Sequence, residues 1–116
     1  MCKLFINAKS EMWASHTRSL RIDGMVTSVR LEDYFWRTID EIAARDGMTA
    51  PQMLTRLYHE SIDAGHDLGN FTSFLRVCCL RYMHLQLDGY IPRDKSVALG
   101  DLNAEKVLAG ESRIYH

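Results

Sequence analysis

The chain has 116 residues, of which 47% are hydrophobic and 25% charged, and its net charge is −1. These values predict one globular domain and exclude a strongly basic polypeptide. The three cysteines, two of them adjacent, give no disulfide framework, and the apolar run Leu4–Ile6 is too short for a signal peptide or a membrane span. We therefore expect a protein of the reducing cytoplasm that has no membrane contact.

The N-terminal half begins with an unpatterned segment and continues into a strand. Residues 1–17 are predicted to form an arm that docks elsewhere or stays loose. Asp23-Gly24 is a type I′ turn signal, so a small hairpin from Leu20–Ile22 to Met25–Val29 is possible. Side-chain alternation sends Thr27, Val29 and Leu31 toward the core and leaves the opposite face to Val26, Ser28 and Arg30.

Three helices and a tail are predicted downstream. The first covers residues 31–47, and the second covers 49–65 and begins with a capping box formed by Thr49 and Gln52. The third, at 70–87, is apolar around much of its circumference, which predicts burial on more than one side. Residues 88–116 read as a tail with at most one short helix at 102–108.

The motifs of catalysis are missing from the sequence. It has no nucleotide-binding glycine loop, no nucleophile elbow and no zinc-protease helix. Cys78 and Cys79 lack metal-ligand spacing and are typical of small core residues, and the histidines are scattered. We therefore expect no enzyme activity, no cofactor and no metal site.

The outward strand face has two interpretations. A two-stranded ribbon fits the major groove of DNA, where the guanidinium of Arg30 could bind guanine and the hydroxyl of Ser28 could donate or accept. Arg18 and Arg21 would then add phosphate contacts. The alternative is an ordinary solvent-exposed strand face, and alternation alone favours that alternative.

Three segments resemble the ribbon-helix-helix domain, the fold of the Arc and methionine repressors. They are TSVRLEDYFW at 27–36, IDEIAARDGMT at 39–49 and SFLRVCCLRY at 73–82. The resemblance covers residues 18–85 and is closest to a bacterial subfamily described as predicted DNA-binding proteins. It implies a mainly α fold with a short β-ribbon, and we place this domain with its added third helix at 18–87.

The resemblance also implies a function. In that fold the strand pairs with the same strand of a second subunit, so the protein would be an obligate homodimer that binds double-stranded DNA. By position, Val26, Ser28 and Arg30 would read bases, while Thr49 and the amides of Ala50 and Gln52 would bind a phosphate. The protein would then be a sequence-specific transcriptional regulator.

A protein-interaction module is the alternative function. An antitoxin or an assembly adaptor would combine this domain with a C-terminal segment that folds on a protein partner. Within residues 88–116, the apolar anchors would be Leu99, Leu102, Val107 and Leu108.

Overall fold

A computed structural model describes residues 2–114 of the chain. The first residue of the predicted arm and the last two of the predicted tail lie outside this range. Two short helices, α1 (Lys3–Ile6) and α2 (Ser10–Trp13), precede a hairpin of β1 (Ser15–Ile22) and β2 (Met25–Glu32). Four further helices follow: α3 (Asp33–Arg45), α4 (Ala50–Asp63), α5 (Phe71–Leu87) and α6 (Ala104–Ile114). None of the helices in the described range is long and apolar enough to cross a membrane.

The strand β2 finds its partner within its own chain. It pairs antiparallel with β1 in a register that runs from Ser15 opposite Glu32 to Ile22 opposite Met25. Asp23 and Gly24 connect the strands with φ angles of 53° and 81°, as a type I′ turn requires. The turn brings β1 back along one edge of β2, so this edge is not available for the implied ladder with the β2 of a second subunit.

The hairpin lies on a single core with its buried face toward the helices. Leu20 and Ile22 of β1 and Val29 and Leu31 of β2 are buried there, and the alternation predicted this for Val29 and Leu31. The same core contains the following buried residues of α3, α4 and α5: Trp36, Ile39, Ala43, Ala50, Met53, Leu54, Leu75 and Cys79. Because one chain supplies the ribbon and three helices, it buries this apolar cluster without a second subunit.

Local signals explain where the central helices begin and end. The hydroxyl of Thr49 accepts from the amide of Gln52, and the Gln52 side chain accepts from the amide of Thr49, which completes the predicted capping box. Helix α3 ends before Gly47, whose φ of 67° is in the left-handed region that favours glycine. The chain therefore reverses between α3 and α4 within a few residues.

The C-terminal segment is packed onto the domain. Ile91 joins Tyr82 and Leu85 of α5 in a second apolar cluster, against which Leu99, Leu102 and Val107 pack. The buried guanidinium of Arg45 donates to the carbonyl oxygens of Val97 and Asp94, at 3.0 Å each. Three of the four anchors proposed for a protein partner therefore contact their own chain, and Leu108 stays exposed.

Candidate nucleic-acid interface

The outward face of the hairpin is a continuous polar surface with contributions from both strands. Val26, Ser28 and Arg30 are exposed on β2, which confirms the predicted orientation of this strand. On β1 the exposed residues of the same face are Thr17, Ser19 and Arg21. Ser19 lies directly opposite Ser28, Thr17 opposite Arg30 and Arg21 opposite Val26. We call these six residues the ribbon face.

The sequence pattern did not predict that β1 contributes half of the ribbon face. The predicted strand begins at Leu20, whereas β1 begins at Ser15. The signal was present, because Thr17, Ser19 and Arg21 alternate with the side chains that face the core, and the Asp23-Gly24 turn sets the register. Counting back from the turn would have identified Ser19 as the neighbour of Ser28.

Arg18 and Arg21 have different environments. Arg18 shares the inward side of β1, where its guanidinium binds the carboxylate of Asp40 at 2.9 and 3.2 Å and lies 4.4 Å from the ring centroid of Trp36. The hydrogen bond to Asp40 raises the pKa of Arg18 above its usual value. Arg21 is exposed on the ribbon face. Of the two arginines expected to contact phosphate, Arg18 therefore has a carboxylate partner in its own chain and Arg21 is exposed, and both phosphate contacts stay predictions.

The predicted phosphate site at the start of α4 is largely occupied by its own cap. The amide of Gln52 donates to the Thr49 hydroxyl at 3.3 Å, so this amide is not available to a phosphate while the cap is closed. Thr49 is exposed but Ala50 is buried. In the closed cap the Gln52 amide already has an acceptor, and the assignment of Thr49, Ala50 and Gln52 to a phosphate stays a prediction.

A groove next to this cap carries cationic side chains instead. It has a volume of about 580 Å³ and lies between the turn end of β1 and one side of α4, lined by Arg21, Gln52, Arg56, His59 and Glu60 among others. The His59 ring nitrogen Nε2 lies 3.1 Å from a carboxylate oxygen of Asp23. This contact joins the hairpin turn to α4, and the groove also contains the guanidinium groups of Arg21 and Arg56 and the carboxylate of Glu60.

The distribution of ion pairs separates structural arginines from available ones. Arg76 binds Glu32 and Arg81 binds Glu111, each through two hydrogen bonds. Within residues 2–114, Arg21, Arg30 and Arg56 form no ion pair. These three lie on the ribbon face or in the adjoining groove, whereas Arg93, which also forms no ion pair within residues 2–114, lies outside both.

The adjacent cysteines of α5 are packed as structural residues. Cys79 is buried, and its thiol lies 3.7 Å from the carbonyl oxygen of Phe35. Burial raises the pKa of Cys79 to about 12 and raises that of Cys78, which keeps both thiols protonated at neutral pH. Between residues 2 and 114, no cluster of three or more His, Cys, Asp or Glu side chains could hold a metal ion.

The comparisons with known proteins agree with this architecture. The family described as ribbon-helix-helix domain matches residues 15–83, from the first residue of β1 to near the end of α5. The chain belongs to this family, whose members are generally DNA-binding regulators. It is also similar to the solved structure of an uncharacterized protein from Bordetella pertussis Tohama I. The two are 50% identical with a TM-score of 0.89, over 94% of this chain and 87% of the other. No curated protein matches the sequence.

Proposed function

We propose that the protein is a non-enzymatic, cytoplasmic transcriptional regulator that binds double-stranded DNA as a homodimer. In this proposal each chain inserts its own hairpin into the major groove. The observation that carries it is the ribbon face, where hydroxyl and guanidinium groups from two paired strands point away from the core. A two-stranded ribbon has the width that the major groove accepts.

The spacing on the ribbon face matches a short run of base pairs. Ser19 and Ser28 form the central pair of the ribbon face. Arg30 lies two residues from Ser28 toward one end of the ribbon, and Arg21 lies two residues from Ser19 toward the other end. Because a strand rises about 3.4 Å per residue, the two guanidinium rows are about 13–14 Å apart, or about four base-pair steps. Arg30 is the candidate for a bidentate contact to guanine, and the serines are candidates for adaptable contacts to neighbouring bases.

The groove beside the ribbon supports the backbone part of this proposal. In this proposal the phosphates that flank the inserted ribbon contact Arg21 and Arg56, which line one groove and have no ion pair within the described residues. Each phosphate contact contributes about 0.9 to the slope of log affinity against log salt concentration. Phosphate contacts add affinity and position the ribbon, while the ribbon face supplies sequence preference.

The reason for proposing a dimer is that one ribbon face contacts only a short run of base pairs. A sequence of four base pairs recurs by chance about once in every 256 positions, so one ribbon face gives little selectivity against the excess of competing sites. Two copies related by a two-fold axis would double the site and give it a pseudo-palindromic sequence. We therefore include the homodimer in the proposal.

A selection from a random duplex DNA pool tests this function. We expect the wild-type protein to enrich a two-fold symmetric motif. Arg30→Ala should lose preference at one position in each half-site and bind the wild-type motif about 1–3 kcal/mol more weakly. Arg93→Ala is the matched control, because Arg93 is also an exposed arginine without an ion pair in the described range but lies outside the ribbon. An unchanged motif and affinity for Arg30→Ala would contradict the proposed reading face.

A further inference from the structure

Helix α6 forms a cleft where it lies along α5. The cleft consists of two cavities with volumes of about 530 and 250 Å³. Arg81 of α5 and Leu108 of α6 line both cavities, so the two adjoin at these side chains. We call the space formed by the two cavities the α5–α6 cleft. The larger cavity alone has a volume typical of sites that bind small organic ligands.

The lining of the α5–α6 cleft is mostly apolar and contains one ion pair. In this pair Nε and Nη2 of Arg81 donate to the two carboxylate oxygens of Glu111 across 2.8 and 2.6 Å. Within the described residues Arg81 is the one cation that lines both cavities. An apolar cavity with a few convergent polar groups is the usual form of a ligand site. The apolar walls are formed by Val77, Ile91, Leu99, Leu102, Val107 and Leu108.

Contacts at Val107 and Gly110 hold α6 on the domain and so keep the cleft formed. Val107 packs against the apolar cluster that contains Ile91. Gly110 is buried, and a Cβ atom added there would collide with the ring of Tyr90. Glycine weakens the interior of a helix, and the close approach to Tyr90 explains why it is found at this position. The cleft therefore has walls that are fixed before any ligand binds.

We infer that the α5–α6 cleft binds a small amphipathic carboxylate, a molecule with one carboxylate group and an aliphatic body. In this arrangement the guanidinium of Arg81 binds the carboxylate, and the aliphatic body lies along Leu102 and Leu108. The side chain of Glu111 already shows that a carboxylate reaches Arg81 in bidentate geometry. The inference goes beyond the proposed function, because the residues that line the cleft include none of the ribbon face.

The ligand carboxylate would take the place of the Glu111 carboxylate on Arg81. The side chains of Arg81 and Glu111 are 42% and 26% exposed, and an ion pair that is open to solvent contributes little to stability. The exchange keeps one carboxylate on Arg81, while burial of the aliphatic body adds a favourable free energy. A cationic amphiphile fits less well, because Arg81 lines both cavities and Glu111 lines only the larger one.

Isothermal titration calorimetry of the full chain with sodium octanoate tests the inference. Octyltrimethylammonium reverses the charge of this probe, and acetate removes its aliphatic body. We expect octanoate to bind at least about tenfold more tightly than either of them. Hexanoate should bind more weakly than octanoate by up to about 15-fold, because each buried methylene group contributes up to about fourfold.

Chemical shifts locate the bound octanoate. In two-dimensional amide spectra of the full chain, octanoate should shift the resonances of Leu108 and Glu111, which line the cleft. Leu80 and Leu87 are the control positions, because they are exposed apolar residues of α5 that do not line the cleft. Shifts confined to Leu80 and Leu87 would place the probe on the outer surface of α5 and would overturn the inference.

Two charge variants with matched controls test the role of Arg81. Arg81→Gln should weaken octanoate binding at least about tenfold, whereas Arg93→Gln, at an exposed arginine outside the cleft, should leave it unchanged. Glu111→Gln should tighten octanoate binding by up to about fivefold, because it removes the competing carboxylate. Glu105→Gln, at an exposed position of α6, is its control. A gain in affinity is an effect that misfolding cannot imitate.

Three results would overturn the inference. They are the absence of octanoate binding, equal binding of octanoate and octyltrimethylammonium, and an octanoate affinity that neither Arg81→Gln nor Glu111→Gln changes. Circular dichroism during urea unfolding checks that Arg81→Gln remains folded. Because these measurements contain no DNA, they fail or succeed independently of the reading face tested with Arg30→Ala.

Discussion

The indole Nε1 of Trp36 donates a hydrogen bond to the carbonyl oxygen of His16 across 2.9 Å. The bond connects the first turn of α3 to the start of β1. Only 1% of Trp36 is exposed, and the guanidinium of Arg18 lies over its ring. One side chain therefore fixes the position of the hairpin on the helices, and with it the direction of the ribbon face.

Replacing Trp36 is expected to destabilise the whole domain. Trp36→Ala removes a fully buried aromatic side chain and leaves the His16 carbonyl without its donor, so the free energy of unfolding should fall by about 3–5 kcal/mol. Urea unfolding followed by circular dichroism measures this loss. Trp13→Ala is the same substitution at a site that is 66% exposed, and it should change stability by no more than about 0.5 kcal/mol. Equal effects of the two substitutions would contradict this role of Trp36.

Substitutions of Arg18 and Arg21 should separate an effect on stability from an effect on DNA binding. Arg18→Ala removes an exposed ion pair with Asp40 and a contact to the ring of Trp36, and we expect a stability loss of about 1 kcal/mol with no change in salt dependence. Arg21→Ala should leave stability unchanged and reduce the slope of log affinity against log salt by about 0.9. Titrations of one duplex at several salt concentrations measure the slopes. A reduced slope for Arg18→Ala would restore its original assignment as a phosphate contact.

These two arginines show what the sequence could have predicted. Side chains in a strand alternate, so Arg18 has the parity of the buried Leu20 and Ile22, and Arg21 has the opposite parity. The same rule correctly predicted the two faces of β2. The error came from beginning the strand at Leu20, because the segment before it has no apolar pattern of its own.

Local sequence patterns do not determine which strand pairs with β2. A strand can satisfy its backbone with any neighbouring strand, and the alternation of β2 is the same for a partner in its own chain or in a second one. The Asp23-Gly24 signal allowed the intramolecular hairpin, and contacts such as that between Trp36 and His16 stabilise it. Such contacts join residues that are distant in sequence, so local patterns do not predict them.

The placement of the C-terminal segment was unpredictable for a similar reason. Arg45 lies in the last turn of α3, where a basic residue is common because it favours the helix dipole. In the structure it is buried and binds two carbonyl oxygens, and its Nη1 lies 3.3 Å from the hydroxyl oxygen of Tyr82. A charged residue at a helix end gives no sign that a segment about fifty residues later will cover it.

Substituting Arg45 is expected to loosen the segment that it binds. Lysine keeps the charge but lacks the planar guanidinium group with its several N–H donors. Arg45→Lys should therefore leave carbonyl groups of Asp94 and Val97 without donors. We expect a stability loss of about 1–3 kcal/mol and faster hydrogen exchange of the Leu99 amide, which donates to Asp46 at 2.6 Å. Arg93→Lys, at an exposed position, serves as the control. Unchanged exchange at Leu99 in Arg45→Lys would show that the segment is bound by other contacts.

Acid should weaken the domain through two arginine-paired carboxylates. The hydrogen bonds from Arg81 lower the pKa of Glu111, and those from Arg76 lower the pKa of Glu32, below the ordinary value of 4.5. The unfolded chain keeps the ordinary pKa, so it binds protons more readily than the folded chain as the pH falls below that value. Stability from these pairs is therefore complete above about pH 4.5 and is lost as the pH falls through the lower pKa values of the folded state.

Urea unfolding at pH 6, 4 and 3 should show this decrease in stability. At pH 6 Glu111→Gln should be less stable than wild type by up to about 1 kcal/mol, and its stability should depend less on pH. Glu105→Gln, on the exposed side of α6 and without an ion pair in the described range, should follow the wild-type curve. If Glu111→Gln and wild type lose stability in parallel, the Arg81–Glu111 pair does not contribute to acid sensitivity.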